Sequence, residues 1–383
     1  MLDPPLRTSR LTRPQLIALN AEPRVSRGSI CELALSSGRW WAPEKPSKGQ
    51  RGSRHPGVTA KEVDAGREAL VEASRISAEQ EQLATELAVD IITILDSNYP
   101  PALHDLPLPP PVLYVRGSLP DRPCLSIVGS RKASPYGLDV ARAFARRLAE
   151  QGLAVLSGFA AGVDITAHRA ALGAPGGTTF AVLGCGLDID YPRGRRADRR
   201  EIRRHGALIS EFPFGTTPLP RNFPIRNRLI AALGHGTLVV EATARSGSLI
   251  TARLALELGR DIYAIPGRIF DDRSAGPNTL VRDGAYLVQH PTDILETLPE
   301  SLKRQLAIAP VEIRADSPPC PHLSGDQGQV LELLPAGERI TIDSLAGRCN
   351  LGIDRIAGAL LHLELSGWVR RHPGPAYART ELW

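Results

Sequence analysis

A chain of 383 residues with 42% apolar and 23% charged residues has the composition of a globular protein, which excludes wholesale disorder, collagen and rod-like coiled coils. No run of about 18 apolar residues offers a membrane-spanning helix, and no apolar leader follows Met1, so neither membrane insertion nor secretion is expected. The net charge of +5 is mildly basic, but nearly all of the 46 basic residues are arginine, a bias that genome composition can impose, so their location weighs more than their number.

The cysteines, Cys31, Cys124, Cys185, Cys320 and Cys349, are odd in number and form no CxxC pair. This argues against a disulfide framework or a zinc ribbon and fits a reducing cytoplasm.

In chain order, Leu11 to Leu35 has helical periodicity, and a Pro, Gly and charge-rich loop follows from Ala42 to Gly57. Residues 61–88 return to helical composition. Ile91 to Leu95 and Val112 to Val115 are short strands on either side of the proline-rich run Pro107 to Pro111. From 125 to 298, apolar runs recur at 125–129, 153–157, 179–183, 207–210, 237–241, 261–265 and 285–288, spaced by the length of a βα unit. Their near-continuous apolarity suits parallel strands covered on both faces. Ser134-Pro135 opens a helix, and Gly152, Gly206 and Gly259 close others. The basic excess of the chain lies in this segment.

Residues 299–325, rich in proline, read as a linker. Residues 326–383 show helix patterns at 327–334, 342–349 and 353–365, then strands around Trp368 and Tyr377, the outline of a winged helix. Its third helix carries Arg355 as its one basic residue, too few donors for a DNA-reading helix, so this module reads as a protein contact, a regulator or at best an accessory DNA contact. The expected fold class is α/β: an extended Rossmann-like, doubly wound, mostly parallel sheet over 90–298, with a helical region over 1–75 and a winged helix over 326–383.

Ligands of open α/β sheets bind beyond the carboxyl ends of the strands. Small residues gather there: Gly129-Ser130-Arg131 after one strand, Ser157-Gly158 after the next, and Ser246-Gly247-Ser248 opening a later helix. Such residues let backbone N–H groups approach an anion, so they outline a phosphate-binding rim. The dinucleotide fingerprint and the P-loop are both missing. A second cluster, Arg221-Asn222-Phe223-Pro224-Ile225-Arg226-Asn227-Arg228, mixes cations, amides and an aromatic, the combination that holds single-stranded nucleic acid; a helix-capping loop is the competing reading. The arginines between 193 and 204 suit a solvated surface helix.

Catalytic patterns are weak. Asp164 and His168 share a helix face and suggest a local hydrogen bond; Glu211 and Glu241 end strands without a nucleophile or metal cluster; Cys185 is a lone packing thiol. No catalytic residue, metal or cofactor is assigned.

The ordered series Ile127-Val128-Gly129-Ser130-Arg131, Ser157-Gly158-x-Ala160-x-Gly162-Val163-Asp164, Gly186-Leu187-Asp188, Phe223-Pro224-x-Arg226-Asn227-Arg228, Ser246-Gly247-Ser248 and Gly276-x-Asn278 resembles the DNA-processing protein A family, also called Smf. The resemblance spans about 90–290. It implies a cytosolic protein of natural transformation, without enzymatic turnover, that binds and protects incoming single-stranded DNA, loads RecA recombinase and forms a homodimer through the Rossmann-like domain. It also implies a DNA pocket of Gly129, Ser130, Arg131, Arg221, Phe223, Arg226 and Asn227; Ser157, Gly158, Asn222, Ser246, Gly247 and Ser248 complete the candidate site. The rival reading is a nucleotide phosphoribohydrolase of the lysine-decarboxylase-like family, to whose motif Gly234-x-Gly236-Thr237 and Glu241 are similar in part.

Overall fold

The computed structural model describes residues 11–26, 29–30, 60–306, 325–334, 339–349, 351–365, 368–372, 374 and 376–379. Among the described residues, the helices α1 (Arg13–Ala21), α2 (Ala60–Val71) and α3 (Ala73–Leu87) precede the first strand. One helical stretch is expected over 61–88, but Glu72 divides it in two. The expected loop over 42–57 lies outside the described residues.

A nine-stranded sheet follows, made of β1 (Asp90–Thr93), β2 (Val112–Gly117), β3 (Cys124–Val128), β4 (Ala154–Ser157), β5 (Thr179–Val182), β6 (Gly206–Ser210), β7 (Gly236–Val239), β8 (Asp261–Ala264) and β9 (Tyr286–Leu287). Its order is β1-β2-β6-β5-β4-β3-β7-β8-β9. From β6 to β9 every pairing is parallel, while β1 and β2 extend the β6 edge in antiparallel fashion, with Tyr114 opposite Ser210. The chain therefore winds outward from β3 to β6, then returns to place β7 on the other side of β3. The reversal opens a crevice above the carboxyl ends of β3 and β7.

The crossover helices are α4 (Pro135–Glu150), α5 (Val163–Leu172), α6 (Arg196–His205), α7 (Asn222–Leu233), α8 (Gly247–Glu257) and α9 (Ala275–Arg282). Side chains from α7 and α8 cover one face of the sheet, where Leu229 and Ala252 join Leu156 and Phe180 in one core. On the other face, Phe144 and Leu148 of α4 and Ala167 of α5 join Ile127 and Val155. Burial on both faces is why these strands are almost uninterrupted runs of apolar residues. At the start of α4, Ser134 caps the helix by accepting from the Gly137 N–H, and Pro135 fills the first turn, where no donor is needed.

The helix α10 (Pro291–Thr297) packs Ile294 and Leu295 against this second core, and α11 (Glu300–Lys303) is followed by Leu306, buried in the same place. The linker expected from 299 thus begins as packed structure, because Leu298 and Leu306 complete the apolar face; residues 307–324 lie outside the described residues.

The two sheet edges differ. On β1, the outward carbonyl of Ile91 accepts from Arg13 Nη2 at 2.9 Å, and the Thr93 N–H donates to Asp96 Oδ2 at 2.7 Å, so side chains occupy the groups an incoming strand would need. On β9, Tyr286 and Leu287 stand about half exposed.

The winged helix comprises α12 (Asp326–Leu333), β10 (Ile340–Thr341), α13 (Ile342–Ala346), α14 (Ile353–Leu365), β11 (Val369–His372) and β12 (Ala376–Arg379). Leu331, Leu345, Ile356, Leu360 and Val369 make its own core. Arg355 of α14 is ion-paired with Asp326.

Asp164 and His168 take separate partners rather than each other. His168, fully buried on α5, lies 2.6 Å from the Thr179 hydroxyl through Nδ1. That hydroxyl itself donates to the Val155 carbonyl, so Nδ1 carries the proton and the ring is neutral. Burial pushes its pKa down to about 3. The unfolded chain, with an imidazole near 6.5, then binds the extra proton first. Stability held in full above pH 6.5 should therefore fall as pH drops toward 3, by up to about 1.4 kcal/mol per unit. Denaturation measured from pH 7 to pH 5 should show this slope in the parent chain and a shallower one in His168→Gln; equal slopes would contradict it.

Candidate nucleic-acid interface

The floor of the crevice is a buried arginine. Arg226, from the first half of α7, is 4% exposed. Its Nη1 donates to the Gly158 carbonyl at 2.6 Å and to the Val182 carbonyl, tying α7 to the ends of β4 and β5. Burial pushes its pKa down to about 10, against the opposing charge of Asp164. The Asp164 carboxyl is pushed up by burial and held down by Arg226 and by backbone donors. Its Oδ2 accepts from the N–H groups of Gly158 at 3.1 Å and Ala160 at 3.3 Å. Those two bonds bracket Phe159, which is held at φ +59°, a left-handed conformation that a bulky residue adopts only when its surroundings impose it.

Glycines at the rim serve close packing between loops. A Cβ on Gly162, at φ +82°, would lie 2.2 Å from the Ser130 carbonyl, and one on Gly129 would lie 2.6 Å from Val163 Cγ2. The loops after β3 and β4 therefore touch, and the Val163 N–H donates to the Ser130 carbonyl at 3.2 Å. Glu241, just beyond β7, binds both the backbone N–H and the hydroxyl of Ser134. Its carboxylate is buried and spent on that clamp rather than presented to a substrate. Glu211 is likewise buried and paired with Arg228. Cys185 is buried, its thiol pushed up to about 11 by desolvation.

Above this floor lies an open cleft of about 1420 Å³. Phe223 lines it, with the Arg131 guanidinium 5.2 Å from its ring centroid and the Tyr191 ring 5.8 Å away at a tilt. Phe223 is half-buried and belongs to the first turn of α7, which begins at Asn222 rather than after a cap at Phe223. Arg131 and Lys132 line the cleft, and among the described residues neither has a carboxylate partner. On the far side, the N-terminus of α8 opens into the cleft at Gly247, with Ser246 as its cap, and a Cβ on Gly247 would meet nothing within 4 Å. Asn227 reaches across to the Gly247 carbonyl at 3.3 Å. This is a concave, cationic surface with an aromatic ring at Phe223, suited to an anionic polymer with flat bases.

The thirteen candidate residues separate by exposure. Gly129, Ser130, Arg131, Phe223, Asn227, Ser246, Gly247 and Ser248 line the cleft. Ser157 is buried and donates to the Ile127 carbonyl, Asn222 is buried and donates to Thr217, and Gly158 makes room for Arg226. Arg226 lines the cleft as its base, with Nη1 engaged by the carbonyls of Gly158 and Val182. Arg221 is exposed, outside the lining of the cleft.

Sequence reasoning passed over Tyr191, Lys132, Arg268, Phe270 and Arg273, all of which line the cleft. Arg199 corrects the reading of the arginines between 193 and 204 as solvated: it is buried on α6 and donates to the carbonyls of Leu187, Ile189 and Tyr191. That shapes the loop presenting Tyr191. Arg199 stands three residues before Ile202, which places the two on one face of α6, and that spacing is the sequence signal for it.

The sequence profile of the DNA recombination-mediator protein A family matches residues 90–299, and that of the DprA winged helix domain matches 314–375. Protein Smf of Escherichia coli is 42% identical over 285 residues, 72% of this chain and 74% of that protein. The DNA processing protein DprA of Streptococcus pneumoniae is 42% identical over 205 residues, 53% of this chain and 72% of that one. Its crystal structure superposes with a TM-score of 0.59 at 30% identity, over 76% of this chain and 99% of that one. The structure of DNA processing protein A from Helicobacter pylori, described for its single-stranded DNA binding mode, superposes with a TM-score of 0.50 at 31% identity, over 56% of this chain and 96% of that one.

The contrast between Arg226 and Arg131 is testable by stability alone. Arg226→Ala leaves Asp164 buried without its counter-charge and should cost about 3–5 kcal/mol. Arg131→Ala, at an exposed position, should change stability by no more than about 0.5 kcal/mol. Urea denaturation of the two variants checks this, and equal losses would refute the assignment of Arg226 to the floor.

Proposed function

The chain belongs to the DNA-processing protein A family, and on that premise we propose that its cleft binds single-stranded DNA and that the protein passes this DNA to RecA recombinase during natural transformation. The observation that carries the reading is the pairing of Phe223 with the unpartnered cation Arg131 at the rim of a cleft too large for a small ligand. Bases stack on the ring, and phosphates run along Arg131, Lys132 and the N-terminus of α8. Gly129, Ser130, Asn227, Ser246 and Ser248 shape this path. Ser157, Gly158, Asn222 and Arg226 support it from beneath, and Arg221 contacts DNA beyond the cleft.

The protein acts in the cytoplasm, as a homodimer through the Rossmann-like domain, and without catalytic turnover. No helix among the described residues is long and apolar enough to cross a membrane. The proposed domains are a helical region over 1–75, the DNA-binding body over 90–298, a connection over 299–325 and the winged helix over 326–383.

The test is single-strand binding followed against salt. Affinity should fall with a log–log slope of roughly −0.7 for each phosphate neutralised, and duplex DNA should bind less well. Arg131→Ala should flatten that slope by about one contact; an unchanged slope and affinity would remove Arg131 from the site. Loading is read as faster RecA filament formation on the same strand, and its absence would confine the protein to DNA binding.

Deleting residues 320–383 should leave most of the single-strand affinity, because the cationic cleft is built wholly from residues before 300. Abolished binding by a folded truncation would make the winged helix the main reader.

A further inference from the structure

The loop between β8 and α9 presents an apolar tip to water. Phe270 is 95% exposed and Ile269 is 83% exposed, the two most exposed large apolar side chains among the described residues. The loop is anchored on both sides of that tip. The backbone N–H and carbonyl of Gly267 are both bonded to the Asn278 amide, at 3.1 and 3.0 Å. The Ala242 N–H donates to the Arg273 carbonyl at 2.7 Å, and Arg273 is ion-paired with Asp271 at 3.0 Å. A ring left in water by an anchored loop forgoes burial that folding otherwise gains, and at the mouth of a concave cleft such a ring marks a contact surface.

Phe270 lines the same cleft as Phe223, in the company of Arg268 and Arg273. The two rings stand on different elements. Phe223, on α7, lies against Tyr191 and against Arg131, which follows β3, whereas Phe270 follows β8, and β7 lies between β3 and β8. Two interstrand steps amount to roughly 10 Å, several times the rise of about 3.4 Å between stacked bases.

We propose that Phe270 is a second base-stacking platform, which holds a different nucleotide of the strand from the one on Phe223 and so sets the direction of the strand across the carboxyl ends of β5 to β8. The inference rests on the reading of the cleft as a single-stranded DNA site. Stacking suits it because every base offers a flat face, so an exposed ring needs no preformed pocket. The charges beside it, Arg268 and Arg273 against Asp271 and Asp272, nearly cancel, so the ring rather than a phosphate contact carries the interaction.

The full-length protein is titrated with an oligothymidylate about 16 nucleotides long and with an abasic strand of equal length. Phe270→Ala should weaken binding of the base-bearing strand at least about fivefold and leave the abasic strand and the melting temperature unchanged. Phe270→Trp should restore affinity, and its indole fluorescence should change on binding. Parent-like affinity of Phe270→Ala for oligothymidylate would overturn the proposal, and so would equal losses on the two strands. If the parent protein and Phe223→Ala differ in affinity while Phe270→Ala does not, only this inference falls. If the parent protein retains no oligonucleotide, the reading of the cleft falls with it.

Discussion

The crevice depends on one buried charge pair. Arg226 and Asp164 sit beneath it, and between them they engage the peptide groups of Gly158, Ala160 and Val182. Taking two charges out of water is costly and is offset only when their remaining hydrogen-bonding groups are satisfied, as several of them are here by main-chain groups. The arrangement joins α5, α7 and the ends of β4 and β5 into one unit. It forces Phe159 into a left-handed backbone and demands glycine at 158, where a Cβ would lie 2.7 Å from the guanidinium. The cleft thus stands on a base with little freedom, and the ordering of its surface is accomplished during folding.

Six of the seven parallel strands were legible because they are buried on both faces and leave nearly continuous apolar runs, as at Ala154 to Leu156, whereas β9 is half exposed. The winged helix was legible from three amphipathic helices and a turn. The site was legible only in part. Motifs report which residues matter and not whether they face solvent: Arg226 and Arg131 look alike in the sequence, but one donates to carbonyls under the sheet edge and the other lies over Phe223. The glycines at 129 and 162 suggested an anion cradle, whereas their immediate cause is contact between two loops. Phe270 was invisible, since a lone aromatic between Ile269 and Asp271 has no periodic context and its exposure is decided by the anchoring of its loop.

Arginine is used here in two chemically distinct ways. Buried, at 199 and 226, its planar fork of donors satisfies several carbonyl groups at once, which a lysine could not do with the same geometry. On the surface of α6, Arg196 and Arg204 meet Asp190 and Glu201, and Arg195, just before the helix, meets Asp198. At the cleft, Arg131 and Lys132 have no carboxylate partner among the described residues. The distribution of partners, more than the arginine total, therefore shapes the field that an approaching polyanion meets.

Among the described residues the two margins of the sheet differ. On β1, Arg13 and Asp96 engage the Ile91 carbonyl and the Thr93 N–H, while β9 is a strand of two half-exposed residues. A side chain that already holds an edge peptide group must be displaced before another strand can pair there, so the β1 margin resists the edge-to-edge growth that turns sheets into fibres.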